Sequence, residues 1–190
     1  MTERLWNVPN ILSLSRVPLT VALCACVEFQ WWLPALVVFA VAALTDWLDG
    51  WWARKFNQTS AVGRALDPLT DKVLIGSAFI FLIPVADAGI APWMVAVMLS
   101  RELLITGIRG MVESAGKKFG ADWFGKLKTI LQCVVLVAVL FLLTCRQYEW
   151  LAEWWDVALL RTYRVLLWAM LLATVGSGLQ YLVKAYRALG

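Results

Sequence analysis

The chain has 190 residues, of which 62% are hydrophobic and only 16% are charged, and its net charge is +4. Soluble domains carry about 25% charged residues, so this composition excludes an ordinary soluble protein. The modest net charge gives no indication of a nucleic-acid partner. Long apolar runs recur along the whole sequence, which predicts a polytopic membrane protein folded as one domain, residues 1–190.

Six apolar segments follow one another along the chain. They cover about 11–29, 33–53, 68–86, 92–112, 127–145 and 162–184. Most are close to the length of roughly 20 residues that a helix needs to cross a bilayer, and none alternates strictly as a barrel strand would. Pro34 and Pro92 stand early in two of them, where a missing N–H costs little. We therefore predict an all-α integral membrane protein with six transmembrane helices.

The positions of the basic residues predict the orientation of these helices. Lysine and arginine follow the second, fourth and sixth segments, whereas the connections 28–33 and 84–92 contain neither. The connection 146–161 carries both basic and acidic residues and fits the pattern less well. Basic connections stay in the cytoplasm, so both termini and the connection between segments two and three are predicted to be cytoplasmic.

Four aspartates surround that cytoplasmic connection, in the stretch LTDWLDGWWARKFNQTSAVGRALDPLTDKV. Asp46 and Asp49 share a helix face, and Asp67 and Asp71 share another. Because the connection is short, we expect all four carboxylates to converge and to repel one another unless cations bind them. Oxygen ligands favour Mg²⁺ or Mn²⁺, and the chain has no histidine for zinc. Four acids suggest two cations, an arrangement suited to phosphoryl displacement.

The neighbouring residues leave alternatives open. Gly50 and Gly63 allow either the close approach of a ligand or close helix packing. Arg54 is placed to bind a phosphate or to anchor the helix at the interface. Acids at the membrane are usually functional, and a pathway for divalent cations is the main alternative to metal-dependent chemistry.

The run from Asp46 to Asp71 reads D-x2-D-G-x2-A-R-x8-G-x3-D-x3-D. It resembles, at all eight fixed positions, the signature of the CDP-alcohol phosphatidyltransferases. These enzymes transfer a phosphatidyl or similar group from a CDP-linked donor to an alcohol and release CMP. Their fold has six membrane helices with the motif on the second and third, so the resemblance covers nearly the whole chain.

The resemblance implies a role for each matching residue. Asp46, Asp49 and Asp67 would bind the metal ions, and Asp71 would be both a metal ligand and the catalytic base. The cytidine diphosphate site would be formed by Gly50, Ala53, Arg54 and Gly63. The family also implies a homodimer in a bacterial plasma membrane.

A second group of charges lies in the fourth and fifth segments, in SRELLITGIRG and FGKLKT. Charges inside a membrane segment are costly unless they are paired or face a wet cavity. Arg101 could pair with Glu102 or with an aspartate, and Lys126 and Lys128 could anchor the interface, but a phosphorylated acceptor accounts better for the basic excess.

These two stretches and the opening NVPNILSLSRVPL resemble the branch of the family that uses glycerol 3-phosphate as acceptor. The resemblance makes four residues candidates for the acceptor phosphate: Arg101, Arg109, Lys126 and Lys128. It implies CDP-diacylglycerol as donor. Inositol phosphate, serine and phosphatidylglycerol remain alternative acceptors, and the sequence gives no definite role to Arg16.

Overall fold

We analysed a computed structural model of the chain. The structure describes residues 8–56, 61–114, 123–150 and 152–189, and within 46–56 and 61–68 it describes the helical backbone but few of the side chains. Within these ranges every regular element is helical. The six α-helices are α1 Val8–Glu28, α2 Trp32–Phe56, α3 Ala61–Leu82, α4 Pro92–Ser114, α5 Trp123–Gln147 and α6 Glu153–Leu189.

Each predicted apolar segment corresponds to one of these helices, so the all-α prediction is confirmed. The third segment was expected to reach residue 86, but α3 ends at Leu82 and a 3-10 turn, Ala86–Ala88, follows. Gly89 closes this turn with φ 60°, a left-handed conformation that glycine adopts without strain. Pro92 is the first residue of α4, as the sequence predicts.

The sixth helix is longer than hydropathy predicts, because it begins at Glu153 rather than near residue 162. Glu153 and Asp156 stand in its first turn, where acidic side chains interact favourably with the helix dipole. Its 37 residues span about 55 Å. That length exceeds the roughly 30 Å hydrocarbon core of a bilayer.

The helices pack as one bundle around an apolar core. Helix α1 packs against both α2 and α3, α5 packs against α2 and α6, and α4 packs against α3 and α6. Phe39, Phe79 and Met170 are among the largest fully buried side chains of the core. A Cβ at Gly76 would lie 2.9 Å from Leu99, so α3 and α4 approach closely at this glycine.

Two of the described helices contain stretches long and apolar enough to cross a membrane: Gly125–Gln147 in α5 and Glu153–Tyr186 in α6. Helix α2 contributes a shorter apolar stretch, Trp32–Thr45.

Candidate functional site

A cavity of about 830 Å³ opens between α3, α4, α5 and α6. Its charged lining comes from residues of three helices: Asp71 and Lys72 of α3, Arg101, Glu102 and Arg109 of α4, and Lys126 and Lys128 of α5. All four residues predicted to bind the acceptor phosphate therefore line the same cavity as the predicted base, Asp71. Whether they bind a phosphate remains a prediction.

Glu102 is the centre of a buried ionic group in this cavity. Its Oε1 accepts hydrogen bonds from Lys128 Nζ and from Arg101 Nη1, the latter at 3.4 Å. All three side chains are buried. The pairing of Arg101 with Glu102 is thus confirmed, and the burial of Lys128 argues against its being an interface anchor. Lys126, in contrast, is exposed.

Helix α6 supplies partners for the two arginines of α4. Arg101 Nη2 donates to Ser177 Oγ at 2.9 Å, and Arg109 Nη2 donates to the Tyr181 hydroxyl at 3.2 Å. The Cζ atoms of Arg101 and Arg109 each lie 5.7 Å from the centre of the Tyr181 ring. The sequence analysis missed Ser177 and Tyr181, because no motif marks them and their partners lie more than 70 residues away.

Lys72 is a further basic residue that the sequence analysis missed, although it directly follows Asp71. Its Nζ donates to Thr106 Oγ1, which in turn donates to the backbone carbonyl of Glu102 at 2.7 Å. Lys72 thereby joins α3 to the charged face of α4. Its position directly after the fourth aspartate of the motif is the sequence feature that could have identified it.

Asp71 is held by a residue of α1. The fully buried Arg16 donates from Nη1 to Asp71 Oδ1 and, at 3.3 Å, to Thr70 Oγ1. Arg16 therefore contributes directly to the surroundings of the predicted base. The sequence indicated no role for Arg16, since its partner is 55 residues away.

Among the described side chains that line the cavity, five are basic and two are acidic. Three buried nitrogens also have no hydrogen-bond partner among the described residues: Arg101 Nε, Arg109 Nε and Gln132 Nε2. A buried donor without a partner costs about 1–3 kcal/mol. A bound anion with several acceptor oxygens would satisfy both the excess charge and some of these donors.

Comparison with known proteins identifies the family. The sequence model of the CDP-alcohol phosphatidyltransferases matches residues 6–177. The chain belongs to this family.

Relatives in the family share about a third of their residues with this chain. Three of them carry the name CDP-diacylglycerol–glycerol-3-phosphate 3-phosphatidyltransferase. The protein of Bacillus subtilis is 33% identical and covers 97% of this chain and 98% of its own. The protein of Escherichia coli K12 is 35% identical and covers 87% of this chain and 92% of its own. The protein of Blochmanniella floridana is 34% identical and covers 87% of each chain.

The family signature lies on α2 and α3, as predicted: Asp46 and Asp49 belong to α2, and Asp67 and Asp71 to α3. Only the Asp71 carboxylate is among the described side chains. Those of the other three aspartates lie outside them, so their convergence remains a prediction. Among the described side chains, no three Asp, Glu, Cys or His residues come together as a metal site.

The four residues predicted for the cytidine diphosphate site also fall outside the described side chains; they are Gly50, Ala53, Arg54 and Gly63. These residues belong to α2 and α3, and both helices pack against α1. The packing of α1 against α3 places Arg16 beside Asp71. By its chemistry, the donor set of the signature, which consists only of carboxylate oxygens, fits Mg²⁺ or Mn²⁺.

Proposed function

We propose that the protein transfers the phosphatidyl group of CDP-diacylglycerol to sn-glycerol 3-phosphate, giving phosphatidylglycerophosphate and CMP. The observation that carries this proposal is the basic cavity beside Asp71. The names of the bacterial relatives, which align over most of the chain, agree with this acceptor.

The charge of the cavity favours a phosphorylated acceptor. The phosphate group of glycerol 3-phosphate carries nearly two negative charges near neutral pH and offers three acceptor oxygens. Arg101, Arg109, Lys126 and Lys128 can supply charge-assisted hydrogen bonds to those oxygens, and Arg can do so in bidentate fashion. Serine has no phosphate to match this charge, and phosphatidylglycerol offers only a singly charged diester.

Asp71 is the proposed base. Its carboxylate takes the proton of the primary hydroxyl of glycerol 3-phosphate, and the oxygen forms a bond to the β-phosphorus of the donor, the one that bears diacylglycerol. The bond from this phosphorus to the bridging pyrophosphate oxygen breaks, and CMP leaves with that oxygen. Arg16 orients the carboxylate.

Two divalent cations, Mg²⁺ or Mn²⁺, would be held by Asp46, Asp49, Asp67 and Asp71 and would neutralise charge on the donor pyrophosphate. Gly50 and Gly63 would let the cytidine diphosphate approach the backbone, and Ala53 and Arg54 would complete its site. The acyl chains of the donor would remain in the lipid.

In the proposed topology all six helices cross a bacterial plasma membrane, and the site and both termini face the cytoplasm. Large apolar side chains such as Leu103, Val165 and Leu172 are more than 60% exposed on the outside of the bundle, as expected for a lipid-facing surface. We expect a homodimer, by analogy with the family.

Release of CMP by the detergent-purified protein tests the proposed function. We expect release that requires CDP-diacylglycerol, glycerol 3-phosphate and Mg²⁺ together, and that EDTA abolishes. Release without glycerol 3-phosphate would contradict the proposed acceptor. Absence of release with any alcohol, combined with divalent-cation flux into liposomes, would instead support the transporter that the sequence left open.

A further inference from the structure

We infer that Tyr181 of α6 is a positioning residue that holds Arg101 and Arg109 of α4 in place for the acceptor phosphate. The inference rests on the proposed function and adds to it a residue outside the family signature. Tyr181 is 2% exposed, yet it lines the cavity. Among the aromatic residues that the structure describes, Tyr181 is the one whose ring contacts both arginines.

The geometry gives Tyr181 two ways of holding the arginines. Each guanidinium carbon is 5.7 Å from the ring centre, within the roughly 6 Å at which a cation is attracted to an aromatic face. The hydroxyl accepts a hydrogen bond from Arg109 Nη2. Arg101 and Arg109 are separated by about 12 Å along α4, so one ring bridges two charges that would otherwise repel.

Small residues around Tyr181 shape the same contact. A Cβ at Gly125 would lie 3.1 Å from the Tyr181 hydroxyl, and a Cβ at Gly178 would lie 3.2 Å from Arg101 Cγ. Ser177, one turn before Tyr181, accepts a hydrogen bond from Arg101 Nη2. The face of α6 formed by residues 177, 178 and 181 therefore fits the Arg101 side chain and restricts its rotamers.

This restriction should lower the cost of binding the acceptor. A free arginine loses side-chain entropy when it is fixed on a ligand. Arginines that Tyr181 and Ser177 have already ordered lose less. Tyr181 acts through Arg101 and Arg109, the residues predicted to bind the acceptor phosphate, so the effect should appear in the KM for glycerol 3-phosphate.

The test compares Tyr181→Leu, Tyr181→Phe and Ser177→Ala with the wild type, in steady-state assays that vary each substrate separately. We expect Tyr181→Leu to raise the KM for glycerol 3-phosphate about tenfold. Tyr181→Phe keeps the ring and should raise it only about threefold. The KM for CDP-diacylglycerol should stay within about twofold of the wild type. Tyr186→Leu is the matched control, because Tyr186 lies on the same helix and is 81% exposed.

Equal changes in both KM values, or Phe and Leu variants that behave alike, would overturn the inference. If Tyr181→Leu does not fold, Tyr181→Phe and Ser177→Ala test the inference in its place. An unchanged KM for glycerol 3-phosphate in both of these variants would overturn the inference. A wild-type protein that does not use glycerol 3-phosphate would refute the proposed function instead. In that case inorganic phosphate that protects the wild type against thermal unfolding at lower concentrations than it protects Tyr181→Phe would still support the inference, and equal protection of both would overturn it.

Discussion

Two polar clusters lie at opposite ends of α5 and differ in how their charges are matched. At one end Lys128 belongs to the cavity, where the part of the lining that the structure describes has five basic and two acidic side chains. At the other end Arg146 donates from Nε and Nη2 to the two carboxylate oxygens of Asp156, at 2.8 Å each, and from Nη1 to Asp87 at 3.1 Å. The 18 residues between Lys128 and Arg146 correspond to about 27 Å.

The difference separates a structural cluster from a binding cluster. In the Arg146 cluster the carboxylates of Asp87 and Asp156 both pair with one guanidinium. These ion pairs join α5 to the start of α6 and to the turn before α4. Nearby, the Tyr163 hydroxyl donates to the Ala88 carbonyl at 2.6 Å and fixes the same turn. The described lining of the cavity instead has more basic than acidic side chains and contains buried donors without partners among the described residues, as a site for an anionic ligand would.

The largest expected effect is that of Asp71→Asn, which removes the proposed base while keeping the size of the side chain. General base catalysis contributes about 10²–10⁴-fold, so kcat for CMP release should fall by about a thousandfold. Asp87→Asn at the other end of the bundle is the matched control and should keep wild-type kcat. Near-normal turnover of Asp71→Asn would mean that another group takes the proton.

Arg109→Met should mainly affect the acceptor. A hydrogen bond to a charged group contributes about 1.5–3 kcal/mol, so the KM for glycerol 3-phosphate should rise about 10–100-fold. The KM for CDP-diacylglycerol should change little. Arg164→Met is the control, because Arg164 lies near the Arg146 cluster. If the Arg109 variant raised both KM values equally, the cavity would not be specific for the acceptor.

Gln132→Met should have a smaller effect on the acceptor and no cost to stability. The Gln132 side chain is 3% exposed, and its Nε2 has no partner among the described residues, so it is available to the ligand. Loss of one hydrogen bond of about 1 kcal/mol predicts a roughly fivefold higher acceptor KM, with an unchanged or higher melting temperature. The control is Gln147→Met, at the far end of the same helix. A lower melting temperature without any change in KM would assign Gln132 to the structure alone.

The smallest effect on catalysis is expected for Arg146→Met. Its ion pairs are partly exposed, and such pairs contribute about 1 kcal/mol or less. Thermal unfolding in detergent should therefore show a modestly lower melting temperature, while kcat and both KM values stay at wild-type levels. A raised acceptor KM would show that the two clusters are coupled and would weaken the distinction between them.

Local pattern predicted the helices and part of the site, but not the contacts between distant residues. Apolar length located all six helices, and the cost of charge inside a segment singled out Arg101 and Lys128. The hydropathy pattern did not predict the start of α6, because the acidic residues that stabilise its first turn lower the mean hydropathy there.

Tertiary packing explains the residues that the sequence analysis missed. Tyr181 is one of many aromatic residues in apolar segments, and only the contact between α4 and α6 distinguishes it. Arg16 lies in a stretch that resembles the family, but its role could not be predicted, since its partner is on a different helix. Gln132 is marked by an unpartnered buried nitrogen, a property that exists only in the folded chain.

The most direct test of the central claim, that the cavity recognises a phosphorylated acceptor, is the initial rate of CMP release with different alcohols at a fixed, saturating concentration of CDP-diacylglycerol. Glycerol 3-phosphate, glycerol, serine and inositol would be compared at equal concentrations. The account predicts rapid release with glycerol 3-phosphate and little with the three alcohols that lack a phosphate. Equal or faster release with one of those three would contradict it.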